Sequence, residues 1–164
     1  MEKRTRIVTK IGYVFCVDVD NQYKRFFQYI ADDMTMLNGR VIRVFKRKYP
    51  MDYIPNMEEI VKDEVDFYAH TIIKFGIQKN LWYKVGKSSE LGDVESIMFR
   101  KSGDYPFSKE EKSYDWYIWH IGQPTQSIGE LTDKYKNLDI GMLIAYPSIA
   151  EKIKTGKYDF GYPY

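Results

Sequence analysis

One segment of the sequence carries residues that could perform acid–base chemistry. It reads Glu64-Val-Asp-Phe-Tyr-Ala-His70, and in a strand its alternate residues Asp66, Tyr68 and His70 lie on one face. An imidazole near a carboxylate can take up and return a proton, as a hydrolase requires. Because a charged row of this kind more often forms a solvent-facing strand, Asp66 and His70 are kept as an alternative acid–base pair, and no enzyme is predicted.

A second pattern is typical of nucleic-acid binding. The basic run, residues 40–48, contains Arg40, Arg43 and Arg47, whose side chains could follow phosphates. Trp82 could stack on a base. The overall charge weighs against this function, because 25 Lys and Arg oppose 23 Asp and Glu and leave only +2. Nucleic-acid binding therefore remains an alternative.

The remaining reactive side chains predict no metal site, no cofactor and no nucleophile. The single cysteine, Cys16, lies between Phe15 and Val17 in an apolar run, where we expect a buried, inert thiol. The two histidines, His70 and His120, belong to no short-spaced pair of the kind that metal sites use. The sequence contains neither G-x-x-x-x-G-K-[ST] nor G-x-G-x-x-G, the glycine-rich loops that hold phosphates.

Length and composition predict a single globular domain over residues 1–164. A hydrophobic share of 44% and an aromatic share of 16% exclude a disordered chain. Disordered chains lack the apolar residues whose burial offsets the conformational entropy lost on folding. No apolar run approaches the ~20 residues of a membrane helix, and the basic segment 1–10 is not followed by the apolar stretch of a signal peptide. We expect a cytoplasmic protein without membrane association; the oligomeric state is not predicted.

Alternating apolar residues predict at least six strands. The first three are consecutive, and the turns between them contain Asp20-Asn21 and Asn38-Gly39, residue types that tolerate positive φ. The segment 116–121 is bulky on both faces and predicts a central strand, whereas 101–113 predicts a long exposed connection. The predicted strands are 11–19, 23–30, 40–49, 65–73, 81–85, 97–100 and 116–121.

Two short helices complete the predicted elements. Asn56 and Glu59 have the spacing of a capping box, and Pro147 stands in the first turn of a helix that Gly156 ends. Because the strands follow in hairpin order and the helices are short, we predict the α+β class with a predominantly antiparallel sheet. The pattern does not say whether this sheet curls or closes into a barrel.

In the order and aromatic content of its segments, the chain resembles the immunity protein 26 family, which is found beside bacterial polymorphic toxins. The residues that carry the resemblance are Lys10-Ile-Gly-Tyr-Val-Phe-Cys-Val17, Phe27-Gln-Tyr-Ile30, Val41-Ile-Arg-Val-Phe45, Asp66-Phe-Tyr-Ala-His-Thr71 and Leu81-Trp-Tyr-Lys-Val-Gly86. The resemblance implies a non-catalytic bacterial protein that neutralises a cognate toxin by binding it and covering its active site. It implies no catalytic residue and no cofactor.

A toxin-binding role requires a contact surface, and the sequence offers one candidate. This is the acidic stretch, the group of carboxylates between residues 58 and 66. A toxin that cleaves nucleic acid would present a basic cleft, which acidic residues complement. This stretch is the concentrated supply of such residues in the chain. The predicted partner-binding residues are Glu58, Glu59, Asp63, Glu64, Asp66 and Tyr68.

Overall fold

The structure, a computed structural model, describes residues 6–104 and 110–164. Six strands form its larger sheet, and all of their pairings are antiparallel. They are β1 (Tyr13–Val19), β2 (Tyr23–Asp33), β3 (Gly39–Phe45), β4 (Tyr49–Pro50), β5 (Val65–His70) and β6 (Tyr83–Lys87). Five strands follow one another as β5-β3-β2-β1-β6, and β4 pairs with the start of β2. Since β5 and β6 stand at opposite edges and do not pair within the described residues, this sheet is open.

Two tight turns join the first three strands. The first contains the predicted pair Asp20-Asn21, whereas the second lies one residue before the predicted pair Asn38-Gly39, because Gly39 already belongs to β3. Asp20 and Asn21 join β1 to β2 with φ values of 52° and 54°. Leu37 and Asn38, both with φ of 53°, join β2 to β3. Positive φ at two successive turn positions matches the right-handed twist of the flanking strands.

Four strands form a smaller sheet. They are β7 (Met98–Ser102), β8 (Trp116–His120), β9 (Gln126–Gly129) and β10 (Asp139–Ile140), in the order β10-β7-β8-β9. Only β10 runs parallel to its neighbour among the described strands. The interior position of β8 confirms the central strand predicted at 116–121. Residues 105–109 of the predicted connection lie outside the described residues, and its beginning, 101–102, belongs to β7.

The described part of the chain contains three α-helices, α1 (Met57–Ile60), α2 (Ile73–Gln78) and α3 (Tyr146–Thr155). The two predicted helices are confirmed as α1 and α3. The side chain of Asn56 caps α1 by accepting a hydrogen bond from the backbone N–H of Glu59 over 3.2 Å. Pro147 lies in the first turn of α3, and Gly156 ends that helix with φ of 84°.

The prediction of a strand up to residue 73 is wrong at its end. The strand β5 stops at His70, and α2 begins at Ile73. The helix packs so closely on Trp82 that a Cβ at Gly76 would lie 2.0 Å from Cε2 and Cζ2 of the indole. Gly76 lies in α2 and Trp82 lies beyond its end, so the apolar periodicity within one segment could not reveal their contact.

Both faces of the larger sheet are covered, which makes the fold α+β as predicted. One face carries Phe15, Phe27 and Val44 and packs on Trp82 and on Ile149 of α3. The opposite face packs on α1 at one end and on the smaller sheet at the other. The buried residues of that opposite face and its covers include Val14, Cys16, Phe26, Phe45, Ile60, Ile30, Val41, Phe99 and Trp119.

Candidate functional site

The acidic stretch and the basic run pair with each other. Arg47 Nη1 lies 3.1 Å from Glu59 Oε1 and 3.9 Å from Asp63 Oδ1. Lys46 Nζ lies 3.6 Å from Glu64 Oε1. These contacts follow from the pairing of the end of β3 with the start of β5, which places the two charged segments side by side. Much of the charge on each segment is therefore neutralised within the protein.

Two tyrosines donate hydrogen bonds to the carboxylates that pair with Arg47. Tyr49 Oη donates to Asp63 Oδ2 over 2.6 Å, and Tyr53 Oη donates to Glu59 Oε2 over 2.9 Å. Burial and the hydrogen bond to Asp63 raise the pKa of Tyr49 above its usual range. Asp63 and Glu59 thus stabilise this part of the fold, whereas the exposed Glu58 forms no ion pair with any residue in 6–104 or 110–164.

Asp66 balances a buried arginine. Arg25 Nη2 donates to Asp66 Oδ2 over 2.8 Å and to the carbonyl oxygen of Phe45 over 2.7 Å. Its Nη1 donates to the carbonyl oxygen of Ile153 over 2.8 Å. A buried guanidinium is tolerated only when it is paired and its donors are used, so Asp66 helps to hold β2, β3, β5 and α3 together.

His70, the other half of the alternative acid–base pair, belongs to a different network. Its partner is the fully buried Asp33: His70 Nε2 lies 2.8 Å from Oδ2, and Trp119 Nε1 donates to the same oxygen over 2.9 Å. The backbone N–H of Gly122 donates to Oδ1 over 2.9 Å. Asp66 and His70 are therefore each bonded to another partner, and the side chain of His70 is closed to solvent. Nδ1 of His70 has no hydrogen-bond partner among the described residues.

The hydrogen bonds to Asp33 determine its ionisation. Burial alone would raise the pKa of this carboxyl, but the donors from His70, Trp119 and Gly122 outweigh burial and lower the pKa to about 2. The ionised Asp33 has only acceptors to offer, so Nε2 of His70 carries the shared hydrogen. The network joins β2 and β5 of the larger sheet to β8 of the smaller sheet.

The four residues of the nucleic-acid alternative do not share an exposed surface. Arg43 and Trp82 are buried and donate their hydrogen bonds inside the protein. Arg47 is paired with the acidic stretch, and Arg40 Nη1 lies 3.6 Å from Asp32 Oδ1. Stacking of a base on Trp82 would therefore require the core to open.

Tyr68, the last residue of the predicted contact surface, is half-buried and lies next to an unusual carboxyl group. The backbone N–H of Tyr68 donates to Asp139 Oδ2 over 2.9 Å. Burial raises the pKa of Asp139 to about 6, although this hydrogen bond and the nearby charges of Lys152 and Arg100 act to lower it.

We expect Asp139→Asn to change how stability depends on pH. Because the pKa of about 6 in the folded state exceeds the ordinary value of 3.8, the folded protein binds the proton more tightly and wild-type stability falls as pH rises from about 4 to about 6. Asparagine keeps an acceptor for Tyr68 and cannot ionise. Urea unfolding should show the variant gaining roughly 2–3 kcal/mol on wild type between pH 4 and pH 7. A gain of the same size from Asp133→Asn, at an exposed position, would contradict this assignment.

A groove of about 770 Å³ lies where the N-terminal segment, the β2–β3 turn and α2 meet. We call it the apolar groove, because several of its lining side chains are both apolar and exposed. These are Val8, Leu37, Ile72, Phe75 and Leu143. The cations Arg6, Arg40 and Lys74 also line it, and none of its described lining residues is acidic. The apolar groove thus combines exposed apolar area with positive charge.

The β2–β3 turn contributes the most exposed apolar residue of the groove. Leu37 is 80% exposed and its neighbour in the turn, Met34, is 81% exposed. Turn positions with positive φ, such as that of Leu37, usually hold Gly, Asn or Asp, and a larger side chain there is uncommon. Neither residue was predicted as functional, although two large apolar residues in a turn are a signal that the sequence does contain.

Similarity to known proteins identifies the family. The family model described as Immunity protein 26 matches residues 10–110, more than half of the chain. The chain belongs to the immunity protein 26 family. No curated protein and no solved structure matches it. The resemblance of the sequence segments to this family is thereby confirmed.

Much of the apolar groove lies in the part of this immunity protein 26 family member that the family model matches. The β2–β3 turn, β3 and α2 fall within residues 10–110, whereas Arg6, Val8 and Leu143 lie outside that range. The groove is therefore built from the family region together with segments on either side of it.

Two kinds of feature are absent from the described residues. No helix in 6–104 or 110–164 combines the length and the apolar character that crossing a membrane demands. Within the same ranges, no three side chains of His, Cys, Asp or Glu come together as a metal-binding group.

Proposed function

We propose that this immunity protein 26 family member neutralises a cognate bacterial toxin by binding it in the cytoplasm, without catalysis. The observation that carries the proposal is the clustering of exposed apolar side chains. Of the eleven large apolar residues exposed among the described residues, five line the apolar groove. Apolar residues exposed singly are ordinary, whereas a contiguous group marks a contact surface.

The physical mechanism is occlusion. The two sheets provide a rigid support, so little conformational entropy is lost when the surface meets a partner. A specific interface covers about 800 Å² on each protein, which is enough to block access of a substrate to a toxin active site. Family membership supports this role, and the internal use of Asp66 and His70 favours binding over hydrolysis.

Recovery of the partner from the native host tests the function. We expect the tagged protein to retain one stoichiometric protein whose expression alone stops growth and whose effect is suppressed by co-expression. The intact mass of the recovered toxin should be unchanged, because occlusion forms no covalent bond. A toxin that is released with an altered mass, or growth that stays arrested, would contradict the proposal. Nucleic acid in the eluate, lost at high salt, would instead support the nucleic-acid alternative.

The acidic stretch remains a second candidate contact surface, and Glu58 is the residue that tests it. If the toxin contacts this stretch, Glu58→Lys is expected to weaken binding about tenfold through charge repulsion without changing the unfolding temperature. Reversal of Asp63 is a poor test, because it also breaks the bond from Tyr49. Glu95→Lys, at an exposed position outside the stretch, is the matched control for a titration against the purified toxin. Equal affinities of the two variants would exclude the acidic stretch.

A further inference from the structure

The charges of the apolar groove are available to a partner. Arg6 and Lys74 are exposed, and neither forms an ion pair with a residue in 6–104 or 110–164. Arg40 is held in place by Asp32 and by the hydroxyl of Tyr29, to which its Nη1 donates over 3.3 Å. Among the described residues, the groove therefore presents two cations without an ion-pair partner and one positioned cation, in contrast to the acidic stretch, where most charges are already balanced.

The exposed apolar side chains of the groove are unfavourable in the isolated protein, because they contact water. Leu37 combines 80% exposure with positive φ, so neither burial nor backbone preference within the chain explains a leucine there. Ile72, Phe75 and Leu143 keep between 36% and 40% of their surface exposed and lie around the same space. Contact with a partner would remove this apolar area from water.

We propose that the apolar groove binds a segment of the toxin in which apolar side chains stand next to carboxylates. This inference rests on the proposed function and names the chemistry of the contact. Exposed apolar residues require apolar side chains opposite them, and unpaired cations without a neighbouring carboxylate require anionic ones. Single-stranded nucleic acid fits less well, because it needs aromatic platforms for its bases and Phe75 is the only aromatic residue among the described lining.

Two substitutions test the apolar and the charged contacts separately, and both are at exposed positions. Leu37→Asn removes the apolar side chain and suits the positive φ, because asparagine tolerates this conformation. Lys74→Glu reverses an exposed charge. Each has a matched control outside the groove: Ile54→Asn, at a residue that is 84% exposed, and Lys79→Glu, at the end of α2.

The experiment measures the affinity of the four variants for the purified toxin, together with their unfolding temperatures. We expect Leu37→Asn and Lys74→Glu each to weaken binding at least tenfold, and the two controls to change it less than twofold. The loss from Lys74→Glu should be mainly in the association rate and should shrink as salt rises. A photo-crosslinking residue at position 37 should capture a toxin peptide that contains Asp or Glu beside apolar residues.

The outcomes separate this inference from the proposed function. A toxin that binds wild type while the groove variants behave like their controls leaves the function intact and overturns the inference. A captured peptide rich in Lys and Arg, or tighter binding by Lys74→Glu, also overturns it. So does a dimer of this chain that dissociates with Leu37→Asn, or displacement of the toxin by a single-stranded oligonucleotide. If wild type neither binds nor suppresses any toxin, both proposals fail together.

Discussion

Asp33→Ala is expected to lower the free energy of unfolding by about 3–5 kcal/mol, because three donors lose their shared acceptor and each unsatisfied buried group costs about 1–3 kcal/mol. The substitution leaves Nε2 of His70, Nε1 of Trp119 and the backbone N–H of Gly122 without their acceptor. Buried donors that lose their partner keep the full cost of having left water. The change also removes one of the polar links between the two sheets.

Urea unfolding at pH 7 measures this loss directly. Asp52→Ala, at an exposed position, is the control and should change the free energy of unfolding by no more than about 0.5 kcal/mol. Because the pKa of Asp33 is about 2, below the ordinary 3.8, its stabilising contribution is complete above about pH 4 and declines as pH falls toward 2. Wild type should therefore lose roughly 2 kcal/mol more than Asp33→Ala over that interval. Parallel pH profiles would contradict this account of the network.

Gly76→Ala is expected to destabilise the protein by at least about 2 kcal/mol, although alanine is the better helix former. Helix propensity favours alanine by about 1 kcal/mol. A Cβ at this position would nevertheless lie 2.0 Å from two ring carbons of Trp82. The indole cannot move aside freely, because Trp82 is buried and its Nε1 donates to the carbonyl oxygen of Ile73 over 2.9 Å. Overpacking of this kind forces side chains and backbone out of place.

A double-mutant cycle identifies the cause. In a Trp82→Leu background, the space opposite Gly76 is wider, so the alanine substitution should cost less than it does in wild type. The coupling free energy from chemical unfolding of the four proteins is the quantity to compare. Strictly additive losses would mean that the indole is not what excludes a side chain from position 76.

Local features of the sequence were sufficient to predict several elements of the fold. Apolar alternation and the Asp20-Asn21 turn predict the β1–β2 hairpin because both act between residues close in sequence. The cap of α1 at Asn56 and the end of α3 at Gly156 follow from single residues. The strand prediction failed at Ile73, where packing of α2 against Trp82 decides the conformation.

The candidate surfaces were harder to predict, because they depend on which segments meet. The pairing of Arg47 with Glu59 arises from the register of β3 and β5, and no spacing within either charged run encodes it. His70 was singled out for its neighbour Asp66, yet its partner in space is Asp33, 37 positions away in sequence. The apolar groove joins four separate parts of the chain, so only the exposed Leu37 in a turn could have indicated it from sequence.

The late position of α3 in the chain has a consequence for protein synthesis. The face of the larger sheet that carries Phe15, Phe27 and Val44 is covered by Ile149 and other residues of α3, which the ribosome adds long after β6. Translation adds roughly 5 to 20 residues per second, so a nascent chain displays this bare apolar face for several seconds. The apolar groove is also incomplete until residue 143 has been added. Nascent copies should therefore occupy chaperones until α3 has been added and has covered this face.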